Sequence, residues 1–464
     1  NVTHCASKLP MDNYPRGADL VAKLHARHGP RDTTAWFQSR GVALKTEPDG
    51  RVFPVSDSSA LHFLGYCSFG QSTQRFHEEC VVSCLRSAAE SLGVSIRTGT
   101  RVVSASRLNG ARSCQDDPTA HSVGARFRVA VEGDDGITSE VLCNRLIFCC
   151  GSTQKRSVKK LLEGVGATLR PTVPSLFSLL LADSKEDGVD GLEGVSVPDA
   201  KVELLEDEPP HEVGEFPPTA GALLEILPPR RAVVASQRGP LLITHDGLSG
   251  PAVLRLSAWS AYELSERSYR ARLRIQWAPF LADVDEAAAA IRAVPAGIPG
   301  VRPPIRRKGV GEKSPWPGRV PSRLWQRLVE RSEPSAGACL ASLARFGPKE
   351  YPLAHQQWLR FESPETSLEL ARAVWSQLQG HEIVVRGRRE NKLEFVTAGG
   401  VDWREGINWD RMESTTVPGV HFAGEVLDVD GITGGFNFQG CWTTGYVAGC
   451  AAAEEFVVEP GGGC

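Results

Sequence analysis

The residues best suited to chemistry lie in one run near the C-terminus, which reads His421-Phe-Ala-Gly-Glu-Val-Leu-Asp-Val-Asp-Gly-Ile-Thr-Gly-Gly-Phe-Asn-Phe-Gln439. A short apolar segment, Val420–Ala423, ends at Gly424 and the carboxylate of Glu425. Glycines at positions 431, 434 and 435 then precede Phe436–Ala453, whose small residues predict a helix. Glycines let a backbone approach a flat or phosphate-bearing ligand, and the free N–H groups that start a helix stabilise negative charge.

This pattern predicts a cofactor-binding turn. A reduced flavin carries negative charge at the N1/C2 carbonyl edge of its ring, and Glu425 is placed to accept the hydroxyls of a ribityl chain. The alternative is a tight turn before a buried helix. That turn needs only one or two glycines, so the glycine cluster favours cofactor binding.

Two weaker segments could contribute to a site. The strand Lys392–Thr397 runs into Gly399-Gly400, a pattern that indicates either a bend or contact with the same ligand. The segment Gly239–Pro251 predicts a strand, a turn and a helix with proline in its first position. His245, in that turn, is either an acid/base or a structural histidine.

Several familiar motifs are absent from the sequence. It has no Gly-x-Gly-x-x-Gly turn for a dinucleotide, no His-Glu-x-x-His, no Gly-x-Ser-x-Gly, and no cysteine and histidine spacing typical of zinc. Glu312 stands where a P-loop requires the glycine before its lysine. We therefore predict no metal site.

The elements that position these residues change character along the chain. Helical and strand patterns alternate up to Pro171, as at Val81–Leu92, Val94–Thr98 and Val141–Cys150, and indicate an α/β layer with parallel pairing. After Pro171, short strands predict a small antiparallel sheet or barrel. The stretch Asp283–Gln379 predicts a mainly helical insertion.

Composition narrows the class of protein. The 464 residues predict two to four domains. Lys and Arg number 52 against 55 Asp and Glu, which argues against a chain built around nucleic acid, and no apolar run is long enough to span a membrane. The 12 cysteines include no Cys-x-x-Cys and are interpreted as buried free thiols in a reducing compartment.

One strongly basic stretch, Arg302–Arg331, holds nine Lys or Arg against two Glu. It could contact RNA, but apart from Trp316 and Trp325 it lacks the interleaved aromatic residues of such a surface. A solvated insertion is the better interpretation of this stretch.

Taken in order, these segments resemble the BaiN/YhiN-type NAD(P)/FAD-dependent oxidoreductases. The matching pieces are Asn1-Val-Thr, Tyr14-Pro-Arg-Gly17, Asp32-Thr with Trp36-Phe37, Gly41–Glu47, Gly50–Asp57, Thr244-His-Asp-Gly-Leu-Ser-Gly-Pro251, Phe395-Val-Thr-Ala-Gly-Gly-Val401, Met412-Glu-Ser414, and Phe422-Ala-Gly-Glu through Gly445-Tyr-Val-Ala-Gly449. The resemblance implies an α/β fold: a Rossmann-like FAD/NAD(P)-binding domain, incomplete at its N-terminus, with inserted β-barrel and helical domains. The expected domains are 1–170 with 391–464, 171–282 with 380–390, and 283–379.

By position, the resemblance implies which residues contact the cofactor. Asn1 and Thr3 would lie by the flavin, Val102 near the adenine, and Gly151 close to the dinucleotide. Gly399 and Gly400 would face the isoalloxazine ring. The residues that would wrap the ribityl chain and the pyrimidine edge are Gly424, Glu425, Gly431, Thr433, Gly434, Gly435 and Asn437.

The implied function is hydride transfer from NAD(P)H through FAD to a small organic acceptor, with His245 as the candidate acid/base. The alternative is an interaction protein that keeps the fold without the cofactor. Two departures bear on this choice. The chain starts at Asn1, after the family's nucleotide-binding turn, which we interpret as truncation, and Ala60–Glu79 is an apparent insertion. We expect a soluble intracellular protein of the cytoplasm or an organelle such as the plastid.

Overall fold

The computed structural model describes residues 2–5, 11–56, 81–108, 126–206, 231–293, 314–332, 364–389 and 396–454. The sequence pattern also predicts a loop or insertion at 61–79, a strand at 222–227, a helix at 340–346 and the start of a strand at 392–395, and these segments lie outside the described residues. The chain divides into two compact units: unit 1 comprises residues 1–174 and 396–464, and unit 2 comprises residues 175–395. The division into three domains that the resemblance implies stays a prediction.

Unit 1 contains five of the described α-helices: α1 (Ala18–Leu24), α2 (Pro30–Gln38), α3 (Val81–Ser91), α4 (Arg156–Gly164) and α10 (Phe436–Glu454). Unit 2 contains α5 (Pro251–Trp259), α6 (Ala261–Glu266), α7 (Val284–Arg292), α8 (Ser322–Arg331) and α9 (Pro364–Gly380). Helix α5 begins with proline, as predicted, because a proline in the first position gives up no helical hydrogen bond.

The strands of unit 1 are β1 (Thr3–His4), β2 (Leu44–Thr46), β3 (Arg51–Pro54), β4 (Thr100–Arg107), β5 (Phe127–Gly133), β6 (Thr138–Cys143), β7 (Leu146–Phe148), β8 (Leu169–Ser175), β15 (Val396–Val401), β16 (Ile407–Asn408), β17 (Glu413–Ser414) and β18 (Val420–Phe422). They form sheets in the orders β1-β3-β2, β4-β5-β6, β15-β8 and β16-β17-β18-β7. The strands of unit 2 are β9 (Leu179–Leu181), β10 (Ser196–Leu205), β11 (Val233–Ile243), β12 (Gly247–Ser249), β13 (Ala271–Gln276) and β14 (His381–Arg388).

Fewer strands of unit 1 pair in parallel than the sequence pattern predicts. Strands β7 and β18 pair in parallel, with Val420 opposite Leu146 and Phe422 opposite Phe148. Strands β4, β5 and β6 instead form an antiparallel meander. The expected parallel layer is therefore wrong for the meander, where the tight turn at Gly136 returns the chain from β5 directly to β6.

Two predicted strands of unit 1 differ in the structure. The segment Val94–Thr98 pairs with no described strand, and its apolar side chains at Val94 and Ile96 are exposed. The predicted strand Val141–Cys150 is two strands with a break at Asn144-Arg145, because β6 continues the meander while β7 joins β18.

Helix boundaries follow local capping. The sequence pattern predicts a helix over Asp32–Arg40 with Asp32 and Thr33 as caps, but both residues lie inside α2, which begins at Pro30. The Asp32 carboxylate instead accepts the N–H of Gly29 at 2.8 Å. Gly93, after α3, has φ 78°, the left-handed conformation expected of the residue that ends a helix.

Unit 2 is built on a closed barrel of six strands in the order β10-β11-β12-β9-β14-β13, and every neighbouring pair is antiparallel. Alternate side chains point inward, such as Val202, Leu204, Leu273 and Ile275. Helices α7, α8 and α9 add apolar residues to the same core. The small antiparallel barrel predicted from the sequence is confirmed.

Residues 314–331, the described part of the basic stretch, place their tryptophans in this core and three of their arginines against a neighbouring loop. Trp316 and Trp325 are buried and pack edge to face at 5.6 Å. Arg323, Arg327 and Arg331, one turn apart along α8, donate to the carbonyl oxygens of Gly191, Asp190 and Glu186. These arginines thus hold the loop 186–191 and do not present a free basic face.

Described cysteines are free thiols, but their exposure varies. Cys84 is buried as expected, whereas Cys5, Cys149 and Cys150 are exposed. None of the described helices is long and apolar enough to cross a membrane.

Candidate functional site

The candidate site lies at the carboxyl ends of the parallel strands β7 and β18. The Ala423 N–H donates to the carbonyl of Phe148 at 3.0 Å, and this bond carries the pairing to the ends of both strands. The two chains then turn away at Gly151 and Gly424, which have φ of 73° and 74°. In α/β sheets, ligands bind outside the carboxyl ends of parallel strands.

Glu425 is the acidic group at this edge. Its side chain is half-buried, and burial raises the pKa of its carboxyl above the ordinary value, while an N–H from Thr397 opposes that rise. A Cβ placed on Gly151 would lie 3.9 Å from Glu425 Oε2, so the two turns are neighbours. A carboxylate has four lone-pair positions, which leaves acceptor capacity for a ligand's hydroxyls.

The glycine loop is shaped by close approach of the chain to itself. Gly434 and Gly435 have φ of 129° and 93°, and a Cβ on Gly435 would lie 2.5 Å from the carbonyl oxygen of Thr3. The Asn437 amide accepts the Gly431 N–H at 2.7 Å and donates to the Gly431 carbonyl at 2.6 Å. Asn437 therefore fixes the loop, a role that the sequence did not indicate.

Helix α10 begins at this loop. Its first intrahelical hydrogen bond runs from the Gln439 N–H to the Gly435 carbonyl. Within the described residues, the N–H groups of Phe436, Asn437 and Phe438 donate to no acceptor. They leave a positive helix end at the glycine loop, as the sequence predicts.

Residues near the N-terminus hold the loop in place. Thr3 donates to the Gln439 amide oxygen at 2.5 Å, and the Tyr14 hydroxyl donates to the Phe436 carbonyl at 2.8 Å. Arg16 forms a two-pronged ion pair with Asp430, whose side chain is fully buried. These contacts join residues more than 400 positions apart, and the sequence alone gave no signal for them.

The two glycines of β15 have a packing reason of their own. A Cβ on Gly399 would lie 2.1 Å from the Pro171 carbonyl oxygen, and one on Gly400 would lie 2.5 Å from that of Val426. The buried carboxylate of Asp428 accepts the Gly399 N–H at 3.0 Å. Their predicted contact with an isoalloxazine ring stays a prediction.

Other predicted residues lie apart from these turns or outside the described part of the chain. Val102 is 44% exposed on the separate β4-β5-β6 sheet. Thr433 is exposed in the glycine loop. His245 is exposed in the β11–β12 turn of unit 2, beside Glu193. Asn1 is not among the described residues.

Two side chains that the sequence analysis missed contact the Gly424–Glu425 turn. Cys441 and Thr444 lie one helical turn apart on α10, and both face that turn. The feature of the sequence that could have indicated them is their three-residue spacing, which places both side chains on one face of a helix. Among the described residues, no group of three or more His, Cys, Asp or Glu could hold a metal ion.

The fold and the site together define a Rossmann-like nucleotide-binding domain with a β-barrel inserted in its sequence. The chain belongs to the HI0933-like family: the model for the HI0933-like protein Rossmann domain matches residues 1–451. This membership confirms the resemblance and the fold class that the sequence indicated.

Curated proteins that resemble the chain include three enzymes of known reaction. The 3-dehydro-bile acid delta(4,6)-reductase of Clostridium scindens is 28% identical over 335 residues, which cover 67% of this chain and 63% of that protein. The ribosomal RNA dihydrouridine synthase of Escherichia coli is 28% identical over 221 residues, 47% of this chain and 43% of that protein. The same enzyme of Haemophilus influenzae is 39% identical over 74 residues, 16% and 18% of the two chains.

The chain therefore spans less than two thirds of the length of these relatives. Among solved structures, it resembles the open conformation of a flavocytochrome c3 fumarate reductase at 14% identity and a TM-score of 0.32, over 94% of this chain and 64% of that one. So low a TM-score supports no statement about function.

Proposed function

We propose that the chain is an FAD-dependent oxidoreductase. The observation that carries the proposal is the meeting of the Gly151 and Glu425 turns at the carboxyl ends of β7 and β18. FAD fits the residues present, because a half-buried carboxylate with spare acceptor capacity suits a polyol chain. The N–H groups at the start of α10, which donate to no acceptor among the described residues, suit the negative edge of a flavin.

Each part of the site would hold a different part of the cofactor. Glu425 would accept ribityl hydroxyls, and the N–H groups of Phe436, Asn437 and Phe438 would face the pyrimidine edge. Gly151, whose turn neighbours that of Glu425, would lie close to the dinucleotide. Thr3, Gly431, Gly434 and Gly435 would keep the loop close to the ring, and Gly399 and Gly400 would lie along its other side.

Bound FAD would supply the redox chemistry, because its ring takes a hydride from a reduced nicotinamide and passes it to an acceptor. The protein's part is to hold the ring, exclude water and orient the acceptor. We propose NAD(P)H as the reductant. The acid/base assignment to His245 stays a proposal, since the residue lies on an exposed turn of the other unit.

We propose a carbon–carbon double bond, conjugated to a carbonyl group, as the acceptor. The names of the relatives support it, because a delta(4,6)-reductase and a dihydrouridine synthase both describe reduction of a carbon–carbon double bond. Such a bond accepts hydride at the carbon distant from the carbonyl, and the carbonyl oxygen takes up the developing charge. A proton then adds to the carbon next to the carbonyl, which completes the reduction. A small molecule of this class is the proposed substrate.

The second candidate is a protein that keeps the fold but binds no FAD. The packing of Gly399, Gly400 and Gly435 favours it, because close approach of the chain to itself accounts for these glycines without a ligand. The intact turn at Gly424–Glu425 and the glycine loop favour the oxidoreductase instead.

The visible absorption spectrum of the purified chain, before and after addition of FAD, tests the proposal. We expect a flavin band that survives desalting and is lost on addition of NAD(P)H in the absence of oxygen. The variant Glu425→Gln should hold FAD more weakly. A chain that stays colourless after incubation with FAD would favour the second candidate.

A further inference from the structure

One helix of unit 1 fastens the turn that carries Glu425. Thr444, on α10, accepts the Gly424 N–H through Oγ1 at 2.9 Å and donates its own hydrogen to the Gly440 carbonyl at 2.6 Å. Because the hydroxyl hydrogen is committed to Gly440, a lone pair of the oxygen is directed at Gly424. Thr444 is 1% exposed, so water does not compete for that contact.

The second contact comes from Cys441, one turn earlier on the same face. The main-chain N–H of Glu425 donates to the Cys441 sulfur. That sulfur lies 3.2 Å from the position a Cβ on Gly424 would occupy, so it rests directly against the turn. Gly424 has φ 74°, a conformation that glycine adopts without strain.

Two successive N–H groups of the turn are thus held by two side chains of α10. The same helix provides the free N–H groups at Phe436, Asn437 and Phe438. Because α10 is rigid, it fixes the position of the Glu425 carboxylate relative to these N–H groups. Cys441 and Thr444 lie one to two helical turns after them on the same helix.

We propose that Cys441 and Thr444 are positioning residues that aim the Glu425 carboxylate at the hydroxyls of a bound polyol chain. The proposal rests on the proposed function for the identity of the polyol, which is the ribityl chain of a flavin. Neither residue touches the ligand. Each acts through the main chain of the Gly424–Glu425 turn.

Two flavins that differ only in this chain separate positioning from general support of the fold. Riboflavin carries the ribityl chain, whereas lumiflavin carries a methyl group in its place. If the Glu425 carboxylate is displaced from the ribityl chain, binding of riboflavin weakens and binding of lumiflavin does not. Loss of the fold around the ring weakens binding of both.

The experiment titrates each flavin into the full chain by fluorescence quenching, and measures hydrogen exchange at the Gly424 and Glu425 amides. For Thr444→Val we expect the Gly424 amide to exchange at least about tenfold faster and riboflavin to bind about tenfold more weakly. Lumiflavin binding should stay within about twofold. Thr444→Ser keeps the acceptor and should restore both values.

The matched control is Thr443→Val. Thr443 is as buried as Thr444. It donates to the His28 carbonyl at 2.8 Å and accepts from the Gln439 amide at 3.1 Å, and neither contact is to the Gly424–Glu425 turn. It should change neither Gly424 exchange nor the ratio of riboflavin to lumiflavin affinity. Cys441→Ala should raise exchange at Glu425, and Cys441→Ser should retain most of its protection.

The positioning role would be overturned if Thr444→Val weakened the binding of both flavins equally, or if the hydrogen-exchange rate of the Gly424 amide did not change. Wild-type protein that binds neither flavin would overturn the proposed function. In that case, faster Gly424 exchange in Thr444→Val supports the fastening of the turn, and unchanged exchange overturns it.

Discussion

At the scale of single residues, the glycines of this site have two different tasks. Some allow a left-handed backbone where another part of the chain lies close, as Gly435 does beside the carbonyl of Thr3. Others, such as Gly445 inside α10, have no atom within 4 Å of the position of a Cβ. The two groups look alike in the sequence and should respond in opposite ways to alanine.

We expect Gly435→Ala to lower the free energy of unfolding by about 1–3 kcal/mol, because its φ of 93° is strained for alanine and the new Cβ meets the Thr3 backbone. Gly445→Ala is the control and should raise stability by up to about 1 kcal/mol. Urea unfolding measures both. A stable Gly435→Ala would mean that the loop lies farther from Thr3.

His381 in unit 2 illustrates how a buried hydrogen-bond network sets a protonation state. Its Nδ1 accepts from the Trp277 indole at 3.0 Å, and its Nε2 lies 2.7 Å from the Asp187 carbonyl. The ring is therefore a neutral imidazole with its hydrogen on Nε2. Burial lowers the pKa of His381 from 6.5 to about 4, and the charge of Arg331 adds to this effect.

The sign of the resulting pH dependence follows from linkage. Between pH 6.5 and 4 the unfolded chain binds a proton at His381 and the folded chain does not, so stability is present above this window and is lost as pH falls through it. We expect a loss of up to about 1.4 kcal/mol per pH unit from this group. Urea unfolding of His381→Gln between pH 7 and 5 should show a shallower slope. An equal slope would exclude His381 as the source.

At the scale of elements, long-range polar contacts determine where the glycine loop lies. Arg16 and Asp430 pair across 414 positions, with side chains 9% and 0% exposed. Breaking a buried ion pair from one side leaves an uncompensated charge, whereas replacing both partners by apolar residues often costs little.

We expect Arg16→Met to lower the free energy of unfolding by about 3–5 kcal/mol, and Arg16→Met with Asp430→Leu to recover part of that loss. Urea unfolding of the two single variants and the double variant forms the cycle. Additive losses would show that the two side chains do not interact. Arg128→Met, at an arginine paired with Glu140 where both side chains are exposed, is the surface comparison and should cost less.

The sequence predicted elements whose cause is local. The strand, turn and helix from Val420 to Glu454 were predictable, because the glycines and the small apolar run act on their own neighbours. The meander was not, because the pattern Val141–Cys150 reads as one strand whether its partner is β5 or β18. The contacts of Thr3, Tyr14 and Arg16 depend on the finished fold, and nothing in the local sequence encodes them.

At the scale of the whole molecule, two compact units with separate apolar cores predict two unfolding transitions. Because the proposed FAD site lies in unit 1, we expect FAD to raise only the transition of that unit, by about 2.7 kcal/mol at a hundredfold excess over its dissociation constant. Differential scanning calorimetry measures this, and His381→Gln identifies the transition of unit 2. A single transition, or an equal shift of both, would contradict this assignment.

The division of unit 1 between the two ends of the chain also has a consequence during synthesis. Residues 1–174 leave the ribosome before β15 and β18, the partners of β8 and β7, and before α10, all of which lie beyond residue 395. Unit 2 is continuous and takes on the order of 10–40 s to translate at ~5–20 residues per second. The barrel can therefore fold while β7 and β8 still lack their partner strands, so these two strands are where nascent-chain chaperones would engage.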